Sequence, residues 1–237
     1  MSEALIEAIN VTKEFAGKRG RSVAVSDFNL RVMAGDFIII TGPSGAGKTT
    51  VLNLLAGLDR PTKGEIILFR RNLKDLSEEE LAKIRGEKLG FIFQFFNLID
   101  NLTALENVMV PLLHREVPET EIVARAEELL SELGLIGKKH RFPRELSGGE
   151  QQRIAIARAL ITDPEVIMAD EPVAQLDEKA AETVISLLLK ANRAGKTILL
   201  STASQALVDN LKPHTTRIVY LERGKVIKEE TPRRRQR

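Results

Sequence analysis

The sequence predicts an α/β fold: a core of mixed sheet with flanking helices, plus an antiparallel β edge and an inserted helical subdomain. Three observations predict it. Short apolar stretches alternate with helical ones along most of the chain. A glycine-rich segment at residues 42–47 separates a continuous apolar run from a stretch of helical character. From residue 95 to about 160 the strand signal disappears and apolar residues recur at helical spacing.

Taken in order, residues 4–15 and 23–33 read as strands joined by a Gly/Lys/Arg turn at 17–21. Residues 37–41 form an unbroken apolar run, the pattern of a strand buried on both faces. A helix is expected from Lys48, stopped by Gly57 as its C-terminal signal. Residues 64–69 are another strand, and Ser77 followed by Glu80 opens a short capped helix through Ile84. Residues 89–94 read as a strand. In the inserted stretch, Ile122, Val123, Ala126, Leu129, Leu130 and Leu133 keep helical spacing up to Gly134. A second helical run covers 152–161, and strands return at 165–169, 197–202 and 217–222, the last turning through Arg223-Gly224 into 225–228.

Composition narrows the function classes. The 237 residues carry 35 Lys+Arg against 33 Asp+Glu, a formal charge of +2. Four arginines fall in residues 232–237, so the remainder carries +2 − 4 = −2, and no broad basic face for nucleic acid is present. The tail itself reads as a disordered terminus, with a contact to anionic lipid as the minority reading. No cysteine is present, which excludes a disulfide framework and thiolate metal sites. No apolar run approaches the ~18–20 residues that span a bilayer, and the first ten residues do not resemble a signal peptide. A soluble chain is expected, with any membrane role exercised through partners.

The chemistry-bearing motif is Gly42-Pro43-Ser44-Gly45-Ala46-Gly47-Lys48-Thr49. It matches G-x-x-x-x-G-K-[ST] in the context that motif requires, after a strand and opening a helix. The glycines let the backbone wrap with its N–H groups inward, and the helix N-terminus adds to an anion cradle. Lys48 supplies a point charge for the β- and γ-phosphates, and the Thr49 hydroxyl suits Mg²⁺. Far downstream, an apolar strand ends in Asp170-Glu171-Pro172. Alone this triplet reads as a turn with solvated carboxylates. Beside a P-loop, Asp170 is placed to hold the Mg²⁺ shell and Glu171 is a candidate base for water. Leu146-Ser147-Gly148-Gly149-Glu150-Gln151 then offers a second phosphate cradle at a helix start. One ATP gripped between two subunits, by one motif from each, explains two cradles in one chain.

With these three motifs in this order, the chain resembles the ATP-binding cassette (ABC) family, whose signature is LSGGEQ, from Ile6 to about Val226. The resemblance implies a P-loop NTPase core formed by 1–94 and 161–230, a helical signature subdomain at 95–160 and a basic tail at 231–237. It implies ATP and Mg²⁺ as cofactors. The expected ATP-binding set is Phe15, which matches the adenine-stacking aromatic, then Gly42 to Gly47, Lys48, Thr49 and Thr50, and finally Ser147, Gly148, Gly149 and Glu150. Thr49, Gln94 and Asp170 are expected at the metal, and Glu171, Gln94 and Lys48 in catalysis. Gln94 matches the Q-loop glutamine, and Ala174 to Asp177 match the D-loop. Phe93 to Ile99 with Leu102 to Val108 is similar to the branch of lipoprotein-releasing, macrolide-exporting and cell-division ATPases. There Phe95 and Phe96 either line a groove for a membrane subunit's coupling helix or pack inside the helical lobe.

The implied partners are a second cassette, in a homodimer or a heterodimer, and an integral-membrane permease, with no nucleic acid. The implied location is the cytoplasmic side of the cell membrane, peripheral through that permease. Two positions depart from the pattern. Ala203 falls where the family places a histidine after the last core strand, and Val173 replaces the Ser or Thr usual after Asp-Glu-Pro. Loss of one preorganised donor typically costs ~10²–10³ in rate. Two further readings follow: a soluble, non-transport ABC ATPase, and a regulatory cassette that binds ATP but hydrolyses it slowly or pairs with a competent partner.

Overall fold

A computed structural model describes residues 4–17 and 20–232. The expected turn at 17–21 and the arginines of the tail fall partly or wholly outside those residues. The first sheet is antiparallel: β1 (Ala4–Gly17) pairs with β2 (Gly20–Met33) on one side and β4 (Lys63–Leu68) on the other, and β5 (Arg71–Asn72) extends β4. The hairpin runs further than the apolar pattern indicates, because pairing continues through Phe15 with Ser22 to Gly17 with Gly20.

The second sheet has the order β10-β9-β3-β8-β7-β6. Its centre, β3 (Phe37–Thr41), lies parallel between β8 (Thr197–Thr202) and β9 (Arg217–Glu222). β7 (Val166–Asp170) sits between β8 and β6 (Leu89–Ile92), also parallel, while β10 (Lys225–Glu230) runs antiparallel on the β9 edge. Side chains alternate between the sheet's two faces, as the period of two demands. Ile38, Ile40, Val166, Met168 and Leu199 join the core shared with β1, β2 and α1 (Lys48–Leu55). Phe37, Ile39, Ile167, Ile198 and Leu200 face the opposite way, toward α6 (Glu178–Arg193) and α7 (Gln205–Leu211). Both faces are therefore buried, which is why these strands read as continuous apolar runs.

Several boundaries differ from expectation for identifiable reasons. α2 (Glu78–Lys88) continues past Ile84 because the polar residues 85–88, which carry no apolar signal, are bonded elsewhere. Arg85 donates to the Gly57 carbonyl at 2.7 Å, and Arg115 donates to that of Gly86. β6 stops at Ile92, not residue 94, because the chain turns and Phe96 and Asn97 both take φ 51°. α6 and α7 have no counterpart in the sequence reading. Each starts at a side-chain cap: Asp177 accepts from Ala180 N at 2.9 Å, and Ser204 from Leu207 N at 3.2 Å.

α3 (Ala104–Met109), α4 (Glu119–Glu132) and α5 (Gly148–Leu160) enclose a third apolar cluster. Ile122, Ala126 and Leu130 of the periodic set are buried in it, against Ile154 and Ala157 of α5. Leu187 of α6 packs on both this cluster and the one beneath the sheet. α5 begins at Gly148, ahead of the apolar run, because Ser147 and Glu150 form a reciprocal capping box.

Candidate functional site

The loop after β3 is held by backbone approach. Gly42 has φ 152°, and a Cβ there would sit 2.1 Å from the Leu221 carbonyl oxygen. Gly47 has φ 102°, and its Cβ would meet the Ala24 carbonyl oxygen at 2.4 Å. Only glycine fits either position, so β9 and β2 press the loop into its curve. Further bonds fix it: Ala46 N–H donates to Pro43 O at 3.1 Å, and Gly224 N–H to Ala46 O at 3.0 Å. Ser44 and Gly45 stand exposed at the loop's tip. α1 starts at Lys48 with no side-chain cap and no acidic residue in its first turn. Its leading N–H groups are thus left for an anion.

Five side chains from three parts of the chain converge beside this loop. Lys48, 6% exposed, donates to the carbonyls of Gly42 at 2.9 Å and Pro43 at 3.1 Å, and its Nζ lies 3.3 Å from Glu171 Oε1. Thr49 Oγ1 donates to Asp170 Oδ2 at 2.8 Å. Ser201 Oγ donates to the other oxygen of Asp170 and accepts from Glu171 N–H at 3.1 Å. The strand register produces this contact, since Asp170 at the end of β7 pairs with Ser201 on β8. Sequence reasoning missed Ser201. Its signal was a hydroxyl near the end of a strand, directly after the apolar run 198–200. Glu171 itself takes φ 46°, a left-handed backbone that non-glycine residues rarely adopt.

This donor set fits the expected group. Mg²⁺ is usually held by one or two protein oxygens plus substrate phosphates. Thr49 and Asp170 provide such a pair at the mouth of the cradle. Among the described residues no cluster of three or more His, Cys, Asp or Glu could hold a metal by itself.

The other expected residues lie apart from this group. Ser147 caps α5, its N–H donating to Glu150 Oε2 at 2.9 Å, and Glu150 also pairs with Lys138. The Lys138 ammonium first, then the Ser147 N–H, hold the Glu150 carboxyl below its usual range. Gly149 lets α5 start against α6: a Cβ there would lie 2.8 Å from that of Ala180. A Cβ on Gly148 would lie 3.7 Å from the Phe96 ring. Among the described residues no hydrogen bond or ion pair joins Ser147–Glu150, or Gln94, to the Lys48–Asp170 group. Gln94 stands in the turn after β6, half-buried, and Thr50 follows on α1. Phe15 is 45% exposed on β1, with Lys13 Nζ 5.0 Å from its ring centre.

A cleft of about 320 Å³ beside β6 is lined by Leu58, Arg85, Phe91, Phe93 and Arg158. Phe95 and Phe96 do not line it. Phe95 is 67% exposed, and Phe96 turns toward Gly148. Ala203 is exposed, just past β8 and two residues beyond Ser201. His114 lies by Gly86, far along the chain from this point.

Comparison with known proteins agrees with this geometry. Residues 25–174 match the family model described as ABC transporter. The lipoprotein-releasing system ATP-binding protein LolD of Aquifex aeolicus is 43% identical over 227 residues, covering 96% of this chain and 98% of LolD. The macrolide export ATP-binding/permease protein MacB of Haemophilus ducreyi is 36% identical over 227 residues, which are 96% of this chain but 32% of MacB. Among solved structures, a dimeric, post-hydrolysis state of the ATP-binding cassette MJ0796 of Methanocaldococcus jannaschii, bound to ADP and Pi, superposes with a TM-score of 0.89. The sequences are 42% identical, over 96% of this chain and 99% of that one. A P-loop facing a strand-end Asp-Glu pair, the LSGGEQ helix and these matches lead to one conclusion: the chain belongs to the ABC transporter family and is its ATPase cassette.

Proposed function

We propose that two copies of this cassette, or this one and a partner cassette, close head-to-tail on MgATP and move a membrane permease. One observation carries the reading. The Lys48–Thr49–Asp170–Glu171 cluster and the Ser147–Glu150 cradle are both built, yet among the described residues no bond links them. Each is then half of a site that a second cassette completes, as the dimeric state of the related MJ0796 cassette supports.

In this reading Lys48 exchanges Glu171 and the loop carbonyls for the β- and γ-phosphates. Thr49 and Asp170 would hold Mg²⁺, which neutralises charge developing on the transferred phosphoryl group. Glu171, released from Lys48, orients the attacking water and takes its proton. Phe15 stacks on the adenine, and Gln94 senses the metal and water from the turn after β6. The cleft beside Phe91 and Phe93 receives a short helix of the permease. No helix among the described residues is long and apolar enough to cross a membrane. In this reading the cassette is held on the cytoplasmic face by its permease.

Ala203 adds a second feature. With a methyl in place of an imidazole, one donor to the γ-phosphate is missing, so binding and dimerisation persist while hydrolysis is slow. The alternative is a regulatory cassette, or one paired with a competent partner. Steady-state hydrolysis is compared for the wild-type chain and Ala203→His, with dimerisation on ATP followed by size-exclusion chromatography. The expected outcome is ATP-dependent dimer in both and turnover raised ~10²-fold by histidine. Wild-type turnover equal to that of Ala203→His would refute the role given to Ala203. Absence of any ATP-dependent association, alone or with a co-purifying cassette, would refute the shared site.

A further inference from the structure

We propose that Gln152 is a positioning residue for hydrolysis, tying the signature helix to the main chain that carries Glu171. The inference rests on Glu171 being the residue that orients water. Gln152 stands on α5 and is 1% exposed. Its Nε2 donates to the Pro172 carbonyl at 2.8 Å, while its Oε1 has no hydrogen-bond partner. A methionine would fill the same volume without leaving a buried acceptor unpaired, which is unfavourable. The amide is therefore accounted for by its donor.

What that donor holds is a strained turn. Glu171 has φ 46°, and such a backbone persists only when its surroundings over-determine it. On its N-terminal side, the Glu171 N–H donates to both the carbonyl and the hydroxyl of Ser201, at 3.2 and 3.1 Å. On its C-terminal side the Glu171 carbonyl accepts from Ala174 N–H at 3.2 Å, and the next residue is a proline, whose carbonyl is its own one polar main-chain group. Gln152 takes that carbonyl.

The bond also joins the two half-sites mechanically. Ser147 caps the start of α5, and Gln152 lies five residues on, about 7.5 Å along the axis. A dimer that presses on the Ser147 cradle therefore pushes a rigid rod whose next turn grips the Glu171 loop. Gly149 supports this rigidity, because its missing side chain seats the rod against Ala180 of α6.

The test is single-turnover ATP hydrolysis with the full chain in excess over radiolabelled ATP, alongside ATP affinity and thermal melting. Gln152→Met keeps the volume and removes the donor. It is expected to slow hydrolysis about tenfold or more, with ATP affinity unchanged within about twofold, because a misplaced group costs rate before binding. In the Glu171→Gln background the same substitution is expected to add no further slowing, because Gln152 acts through Glu171. Wild-type speed for Gln152→Met, parallel loss of ATP affinity, or slowing that multiplies with that of Glu171→Gln would each overturn the proposal. Wild-type speed for Glu171→Gln would overturn the assignment of Glu171 and this inference with it. Slow Glu171→Gln with fast Gln152→Met would overturn the inference alone. Should Gln152→Met not fold, Gln152→Asn, whose amide is one methylene too short to reach Pro172, carries the same readings.

Discussion

Ser201→Ala removes the hydroxyl that joins Asp170 to the Glu171 main chain. The hydroxyl is fully buried, donates to Asp170 and accepts the Glu171 N–H at 3.1 Å. Its removal leaves neither neighbour orphaned. Asp170 keeps Thr49 at 2.8 Å, and the Glu171 N–H keeps the Ser201 carbonyl at 3.2 Å. Two hydrogen bonds are lost, and the one to the charged carboxylate, worth about 1.5–3 kcal/mol, dominates because the Glu171 N–H retains its other acceptor. For a chain of this length each kcal/mol moves Tm by about 2–4 °C, so a fall of roughly 3–12 °C is expected. Differential scanning calorimetry without nucleotide reads it directly. Ser201→Thr retains the hydroxyl and should recover most of the loss. If Ser201→Ala melts within about 1 °C of wild type, the hydroxyl does not hold Asp170 and the reasoning fails.

Two further outcomes follow from single side chains. Glu150 has a lowered folded pKa, so its stabilisation is fully present above its ordinary value of 4.5 and is lost as pH falls through the folded value. Glu150→Gln should thus melt below wild type at neutral pH, with the gap closing in acid; a gap that is constant with pH would contradict the Lys138 and Ser147 contacts. Phe15→Ala should weaken ATP binding by about tenfold, the scale of base–aromatic stacking, measured by calorimetric titration. Because the ring is 45% exposed, Tm should hardly change, and a large fall would mark Phe15 as a core residue.

The sequence made the parallel strands legible because both sheet faces are buried, leaving an apolar run at 37–41 and an apolar centre in the strand 197–202, both with correct ends. It revealed the Lys48–Thr49 and Asp170–Glu171 groups by spacing and strand context. Helices α6 and α7 were passed over although each begins at a hydrogen-bonding cap, Asp177 and Ser204. A single Asp or Ser before a mixed run is a weak signal. Ser201 and Gln152 were invisible for a different reason. Each acts through a partner about 20–30 residues away, chosen by strand register or helix packing, which local patterns do not encode. The left-handed backbone at Glu171 likewise arises from tertiary clamps, since glutamate has no preference for it.

The central position of β3 has a consequence for synthesis. The strand that launches the phosphate loop emerges from the ribosome early, yet its two sheet neighbours are β8 and β9, residues 197–222. Gly42 is itself shaped by the Leu221 carbonyl. Until nearly the whole chain has been made, the cradle has neither flank, and its apolar strand must wait unpaired. The first ATP a nascent molecule captures therefore reports that its last core strands are in place, and the long wait is the interval in which a chaperone has most to cover.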